Sequence, residues 1–337
     1  MTEADEVMWM VRGAWVSMCL RAACELGVID ALAQPRSVAE LATLTSSDRA
    51  MLARFLRVMV DLGLVECSHE RYTATAHGAV LRTGHPSGLR DMVMMRTVLP
   101  NVNAWRHLPD ALRHGGAVYQ GLHGISYWEW LADHPEDEAT FNAAMAHRSA
   151  LQVEAIRAAH DFTGLDLVVD VGGGKGAMVA RLLAEEPLLR AIVADRPEVA
   201  KAATAALAAA GLGDRARGEA ADFFVTVPAG GDVYVLSNVL HDWDDAQATQ
   251  ILGTVGDAMA GQGRLLVVET VLDGPGRTPA DQRDVHLLDL HMLVMFGARE
   301  RTKAEYDALL VEAGFAPATL PPSPNTWNVL LTEPTPA

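Results

Sequence analysis

Residues 165–176 read Leu-Asp-Leu-Val-Val-Asp-Val-Gly-Gly-Gly-Lys-Gly, and the fold follows from this stretch. Leu165 to Val171 is a short, β-branched, largely apolar run of the kind buried inside a sheet. Glycines end it at once. They permit a tight turn and let a ligand approach the backbone closely. In an open α/β sheet, ligands bind at the carboxyl ends of the strands, which is where this turn falls.

Downstream the pattern repeats, with strand-like and helix-like stretches in alternation. Ala191–Asp195, Asp232–Leu236, Arg264–Glu269 and Trp327–Leu331 read as strands, and the alanine-rich run 202–210 reads as a helix. Alternation of this kind predicts a doubly wound, Rossmann-like α/β domain with a mostly parallel sheet over 161–337.

Upstream, residues 91–160 read as helical and are rich in Met and Trp. Residues 1–90 read as helices followed by a hairpin. Ser37-Val38-Ala39-Glu40 is a capping box that opens a short helix near Leu41. Leu52, Phe55, Leu56, Met59 and Leu62 share one face of the next helix, and Gly63 stops it. Leu64–Glu66 and Tyr72–Ala74 then read as two strands around the polar turn Ser68-His69-Glu70. Helix, helix and hairpin is the order of a winged helix.

Composition narrows the function. The formal charge of −16 repels a polyanion, so nucleic acid is a poor partner. Cys19, Cys24 and Cys67 form no CxxC pair and no metal-ligand spacing, which suits a reduced, cytoplasmic protein. Met-Thr-Glu-Ala-Asp-Glu lacks the basic start and apolar core of a signal peptide, and no apolar run approaches the ~20 residues that span a bilayer. Prolines 334 and 336 sit in a C-terminus expected to fray.

On residues alone the cofactor stays open. Gly172, Gly174 and Ala177 also satisfy the dinucleotide pattern GxGxxG/A. Asp195, ending the second strand, is placed to hold ribose hydroxyls of NAD or of S-adenosylmethionine alike. A P-loop is excluded, because Gly176 rather than Ser or Thr follows Lys175.

Four motifs occur in order: Val-Asp-Val-Gly-Gly-Gly-Lys-Gly, Ala-Asp-Arg-Pro-Glu-Val (194–199), Ala-Asp-Phe-Phe (221–224) and Val-Leu-His-Asp-Trp-Asp-Asp (239–245). Together they resemble the small-molecule O-methyltransferases of the caffeate and hydroxyindole type and their bacterial natural-product branch. The resemblance runs through the whole chain, because that family carries an N-terminal winged-helix dimerisation domain. It implies S-adenosylmethionine as cofactor, a small aromatic substrate and a homodimer.

The match also implies roles for individual residues. Gly172 and Gly174 would line the methionine part of the cofactor. Asp195, with Arg196 beside it, would take the ribose, and Asp222 and Phe223 would frame the adenine. Met145 and Ser149 match the helix that closes over the sulfonium and carboxylate. Ser237 stands where plant members carry a lysine. His241 matches the general base, flanked by carboxylates at Glu269 and at Glu300 of Gly297-Ala298-Arg299-Glu300-Arg301-Thr302. Trp128, Met145, His291, Met292 and Met295 would line the acceptor pocket.

The chemistry suits those residue types. A sulfonium methyl is already electrophilic, so the enzyme must align an acceptor oxygen and remove its proton. A phenol has a pKa near ~10 and an unperturbed histidine one near ~6.5, so an imidazole is the natural base at neutral pH. Helix capping explains Asp242 as well as orientation of that base does. His241, Asp242 and His291 also have the composition of a two-histidine, one-carboxylate metal site, although the same residues have a metal-free reading. Rival functions are a C- or N-methyltransferase, a non-methylating enzyme on the same scaffold, an NAD enzyme, and a DNA-binding regulator. The last would use Arg49, Arg54 and Arg57, with Asp48 and Asp61 set against them.

Overall fold

A computed structural model of the chain describes residues 2–335, and Pro336, expected to fray, lies outside them. The backbone divides into two units. The first comprises residues 1–103 and 131–147, and the second 104–130 and 148–337.

In the first unit a long helix, Glu3–Glu25, precedes the predicted pair Val38–Leu44 and Arg49–Asp61. The Ser37/Glu40 capping box is present, and Asp48 caps the second helix by accepting from the Met51 amide. Leu52, Leu56 and Met59 recur on one face and are buried with Ile29, Leu32, Leu41 and Val65. Strands β1 (Val65–Ser68) and β2 (Arg71–Ala74) pair antiparallel. His69 and Glu70 form the two-residue turn between them with φ of 48° and 60°. Such left-handed angles match the twist of a hairpin.

In the second unit six strands form one sheet: β3 (Leu167–Val171), β4 (Arg190–Asp195), β5 (Ala216–Ala220), β6 (Val233–Ser237), β7 (Arg264–Glu269) and β8 (Asn328–Thr332). Their order is β5-β4-β3-β6-β7-β8. All neighbours run parallel except β8, which pairs antiparallel with β7. Helices cover both faces, which explains why β3 and β6 read as nearly unbroken apolar runs. One apolar cluster joins Val169, Val171, Tyr234 and Leu236 to Ile251, Leu252 and Leu310; another joins Val168, Val233 and Val235 to Val179, Leu182 and Ile156.

The sequence reading missed β5. Ala216-Arg217-Gly218-Glu219-Ala220 is polar and edge-lying, without the apolar pattern of its neighbours. Gly218 is there for space: a Cβ would stand 1.9 Å from the Ala200 carbonyl oxygen of the covering helix Pro197–Ala209.

From β3 the chain winds outward to β5, then returns to β6 on the other side. The order reverses between β3 and β6, the kind of switch point at which an open α/β sheet binds ligands beyond the carboxyl ends of its strands. Among the described residues no helix is long and apolar enough to cross a membrane.

Candidate active site

The glycine turn leaves β3 with Gly172, Gly174 and Gly176 all at positive φ, between 59° and 78°. Gly173 is the tight point. A Cβ there would lie 2.2 Å from Oδ2 of Asp170, so the backbone rests on that carboxylate. The Gly174 N–H donates to Oδ2 of Asp195 at the end of β4 (2.9 Å), and the Arg196 N–H donates to Oδ1 (2.7 Å). The Arg196 side chain is exposed. Asp222 accepts from the Phe224 N–H through Oδ1 (3.0 Å), which closes the turn after β5. Phe223 packs against Phe224 and Trp243, and a Cβ added to Gly172 would sit 3.6 Å from its ring. The three turns predicted to take the cofactor therefore lie side by side.

Among the described residues, two polar groups here lack hydrogen-bond partners. Both oxygens of Asp170, which is 1% exposed, make no hydrogen bond, and neither does the buried Oγ of Ser237 at the end of β6. Burial, with the neighbouring charge of Asp195 added, pushes the Asp170 carboxyl up to about 7. Ser149 is buried on the helix Pro135–Ala159, and Met145 lies one turn before it.

Beyond β6 the chain turns at Asn238, with φ of 56°, into a short 3-10 turn, Leu240–Asp242, that carries His241. Glu269, the last residue of β7, accepts from the Val239 and Leu240 N–H groups through Oε1 (3.1 and 3.0 Å). Its Oε2 lies 3.4 Å from Nδ1 of His241. Glu300 reaches the same nitrogen, Oε1 to Nδ1, at 3.0 Å. It comes from the link 297–302, and its N–H donates to Asp289 of the helix Pro279–Phe296 (2.9 Å).

Facing two carboxylates, Nδ1 carries the hydrogen, and Nε2 is the nitrogen left to accept a proton. Nε2 lies 3.6 Å from Oδ1 of Asp242, too far for a good hydrogen bond. Burial disfavours the imidazolium, but the charges of Glu269, Glu300 and Asp242 outweigh it and raise His241 to about 10. Burial in turn raises Glu269 to about 7 and Asp242 to about 6, against the pull of His241.

Asp242 does not cap the following helix. Asp244 does, accepting from the Gln247 N–H (2.8 Å), because Asp242 is held back in the 3-10 turn beside His241. The metal reading through His291 also meets a different arrangement. Among the described residues, the one group with metal-ligand spacing is His241, Glu269 and Glu300. His291 instead accepts from the indole N–H of Trp105 (3.1 Å) and stacks on that ring.

Apart from Met145, the residues expected to line the acceptor pocket belong to two elements. His291, Met292 and Met295 are buried on Pro279–Phe296. Trp128 stacks on Phe296 of that helix, with centroids 5.4 Å apart, and Tyr127 meets the same ring edge-on. At the helix end a Cβ on Gly297 would lie 2.6 Å from the Ala117 amide, so segment 116–130 packs tightly beside the link bearing Glu300.

Sequence reasoning passed over Arg301, which is fully buried. It donates to the carbonyl oxygens of Leu240 and Trp243 (both 2.8 Å) and through Nε and Nη2 to Oδ1 of Asp245 (3.0 and 2.8 Å). Its place in Glu-Arg-Thr beside Glu300 was the available signal.

Comparison with known proteins fits this geometry. A family model described as an O-methyltransferase domain matches residues 105–316, and one described as an O-methyltransferase dimerisation domain matches residues 8–84. The phenazine O-methyltransferase of Lysobacter antibioticus is 37% identical over 97% of this chain and 95% of its own length. An O-methyltransferase from neocarzinostatin biosynthesis, solved with S-adenosylmethionine and 2-hydroxy-5-methyl naphthoic acid, is 33% identical; the alignment has a TM-score of 0.79 and covers 95% of this chain and 96% of that one. Other chemistries also occur among the relatives. An 8-amino-8-demethylriboflavin N,N-dimethyltransferase of Streptomyces davaonensis is 33% identical (94% of this chain, 91% of the relative), and the aclacinomycin 10-hydroxylase of Streptomyces purpurascens is 34% identical (90% and 82%).

Proposed function

The chain belongs to the S-adenosylmethionine-dependent O-methyltransferases, and we propose that it methylates a phenolic hydroxyl of a small aromatic secondary metabolite, with His241 as general base. The observation that carries this reading is the pairing of buried His241 Nδ1 with buried Glu300 and Glu269 at 3.0 and 3.4 Å.

The residues present fit the cofactor. Gly174 of the glycine turn faces open space, Asp195 and Asp222 stand on adjacent turns, and Ser237 offers a buried hydroxyl with no partner among the described residues. Gly172, Gly174, Asp195, Arg196, Asp222, Phe223, Ser237 and Ser149 would hold it. S-adenosylmethionine, when bound, supplies an electrophilic methyl group. The chain's own work is to orient the acceptor and take its proton. Trp128, Met145, His291, Met292 and Met295 would hold the ring, since flat aromatic and pliable thioether surfaces suit a planar acceptor. His241 Nε2 would take the hydroxyl proton, and Glu300 and Glu269 would stabilise the imidazolium that forms.

The same reading gives each region a task. Residues 1–90 would form the dimerisation domain, supported by the matching family model. Residues 91–160 would be the helical lid over the acceptor, and 161–337 the cofactor-binding catalytic body. The unit would act as a cytoplasmic homodimer without nucleic-acid or membrane partners. Family membership favours an S-adenosylmethionine-dependent enzyme over the regulator and NAD readings. A nitrogen acceptor stays second, on the strength of the riboflavin-type relative.

The test is His241→Gln. We expect S-adenosylhomocysteine affinity by calorimetry to stay normal and kcat to fall ~10²–10⁴-fold, the usual range for a positioned base. The deficit should shrink as pH rises, because an acceptor already ionised needs no base. Near-normal kcat at pH 7 with a phenolic acceptor would overturn the assignment.

A further inference from the structure

We propose that Arg301, tethered to Asp245, is a positioning residue for His241: it fixes the backbone of the 240–243 turn so that Nδ1 falls between Glu300 and Glu269. The proposal rests on His241 being the working base, but its main readout is independent of catalysis.

A fully buried guanidinium must have its donors satisfied and its charge met. Arg301 does both by spanning the turn, with Nη1 on the carbonyl of Leu240, just before His241, and Nη2 on that of Trp243, two residues after it. The turn is thus held from two directions. Glu269 takes its N–H groups at Val239 and Leu240, and Arg301 takes its carbonyls.

The residue order makes the arrangement compact. In Arg299-Glu300-Arg301 the middle residue goes inward to the imidazole, while both arginines go to one carboxylate. Arg299 Nη2 donates to Oδ2 of Asp245 (2.8 Å), and Arg301 takes Oδ1. Asp245 is the first residue of the helix Asp245–Met259, and its side chain is 53% exposed. One half-exposed carboxylate therefore anchors both the strand of chain that orients the imidazole ring and the residue that fixes its backbone.

Lysine cannot replace this arginine in function. A single ammonium carries the charge, but it lacks the planar fork that reaches two carbonyls and a carboxylate together. The groups facing His241 from the surrounding elements are Glu269, Glu300 and Asp242. Drift of the turn lengthens the contacts to the two glutamates first, leaving burial to favour the neutral imidazole.

The experiment uses full-length Arg301→Lys and Asp245→Asn proteins, with His241→Gln to assign the resonance in histidine-labelled samples. We expect kcat to fall on the order of 10–100-fold in Arg301→Lys, the scale of a small misplacement of a catalytic group, and by less in Asp245→Asn. The dissociation constant for S-adenosylhomocysteine and the acceptor KM should be unchanged. The His241 imidazole should lose its proton at distinctly lower pH than in the parent protein. An unshifted titration in both variants, or normal kcat in both, would overturn the proposal. If Arg301→Lys does not fold, Asp245→Asn decides alone. A shifted titration together with a fully active His241→Gln enzyme would keep the positioning role and remove the base.

Discussion

Asp170→Asn isolates one buried charge. Asp170, next to last in its strand, is 1% exposed, with neither oxygen hydrogen-bonded among the described residues and with the glycine turn pressed onto it. Its carboxyl is pushed up to about 7 from an ordinary 3.8, first by burial and then by Asp195. The folded state therefore holds a proton that the unfolded chain releases above pH ~4. A raised acid contributes its stability below the unfolded value and loses it as pH climbs through the folded one. From pH 5 to 7 the extra proton held by the native state falls from nearly one to about half, so stability should fall by up to ~1.4 kcal/mol per unit, about 2 kcal/mol by pH 7 and about 3 kcal/mol by pH 8. Asparagine does not titrate. Cofactor-free parent and variant are compared by urea unfolding at pH 5, 6, 7 and 8, where every other titrating group cancels. The variant's stability relative to the parent should improve by ~3 kcal/mol between pH 5 and 8, levelling off as pH passes through 7. Parallel curves for the two proteins would refute the argument, and so would a variant that loses ground as pH rises.

The remaining predictions concern the cofactor turn and the assembly. Asp195 anchors the Gly174 and Arg196 amides as well as standing at the proposed ribose site, so Asp195→Ala should weaken S-adenosylhomocysteine binding by ~1.5–3 kcal/mol in calorimetry, the scale of charge-assisted hydrogen bonds. The helix Glu3–Glu25 exposes Trp9, Met10, Val11 and Trp15 at 52–75%. Light scattering should therefore give twice the chain mass, and deleting residues 1–25 should produce a monomer that still binds the cofactor but turns over acceptor poorly.

Much of this was legible in the chain because it is carried by local chemistry. The run to Val171 and the glycines after it announce a buried strand and a tight turn, and both are present. Ser37 and Glu40 announce a helix start through hydrogen bonds to adjacent amides. The parts that escaped depend on distant partners. Strand β5 has no pattern of its own and exists because β4 and a covering helix accept it. Asp242 and Asp244 are alike as helix-capping candidates, and only the 3-10 turn decides between them. Arg301 is marked in sequence only by its place beside Glu300; its partners are carbonyls some sixty residues earlier. His291 offers a second imidazole for a metal, yet its partner is the indole of Trp105 across 186 positions.

The proposed base has one further consequence for the choice of acceptor. With His241 neutral and Glu269, Glu300 and Asp242 ionised, a closed site would hold three negative charges, which burial strongly opposes. The shifts run the way that relieves this: His241 rises to about 10, Glu269 to about 7 and Asp242 to about 6, so the cluster retains protons at neutral pH. A phenol meeting neutral imidazole and a phenolate meeting imidazolium hold the same number of protons and differ only in where one of them sits. A phenol near pKa ~10 is matched to such an imidazole, so moving the proton costs little. An aliphatic alcohol, closer to water at ~16, is mismatched by ~6 units, or ~8 kcal/mol at 1.36 kcal/mol per unit. On the proposed reading, the glutamates that would strengthen the base would also set how acidic its substrate must be, near the acidity of aromatic hydroxyls.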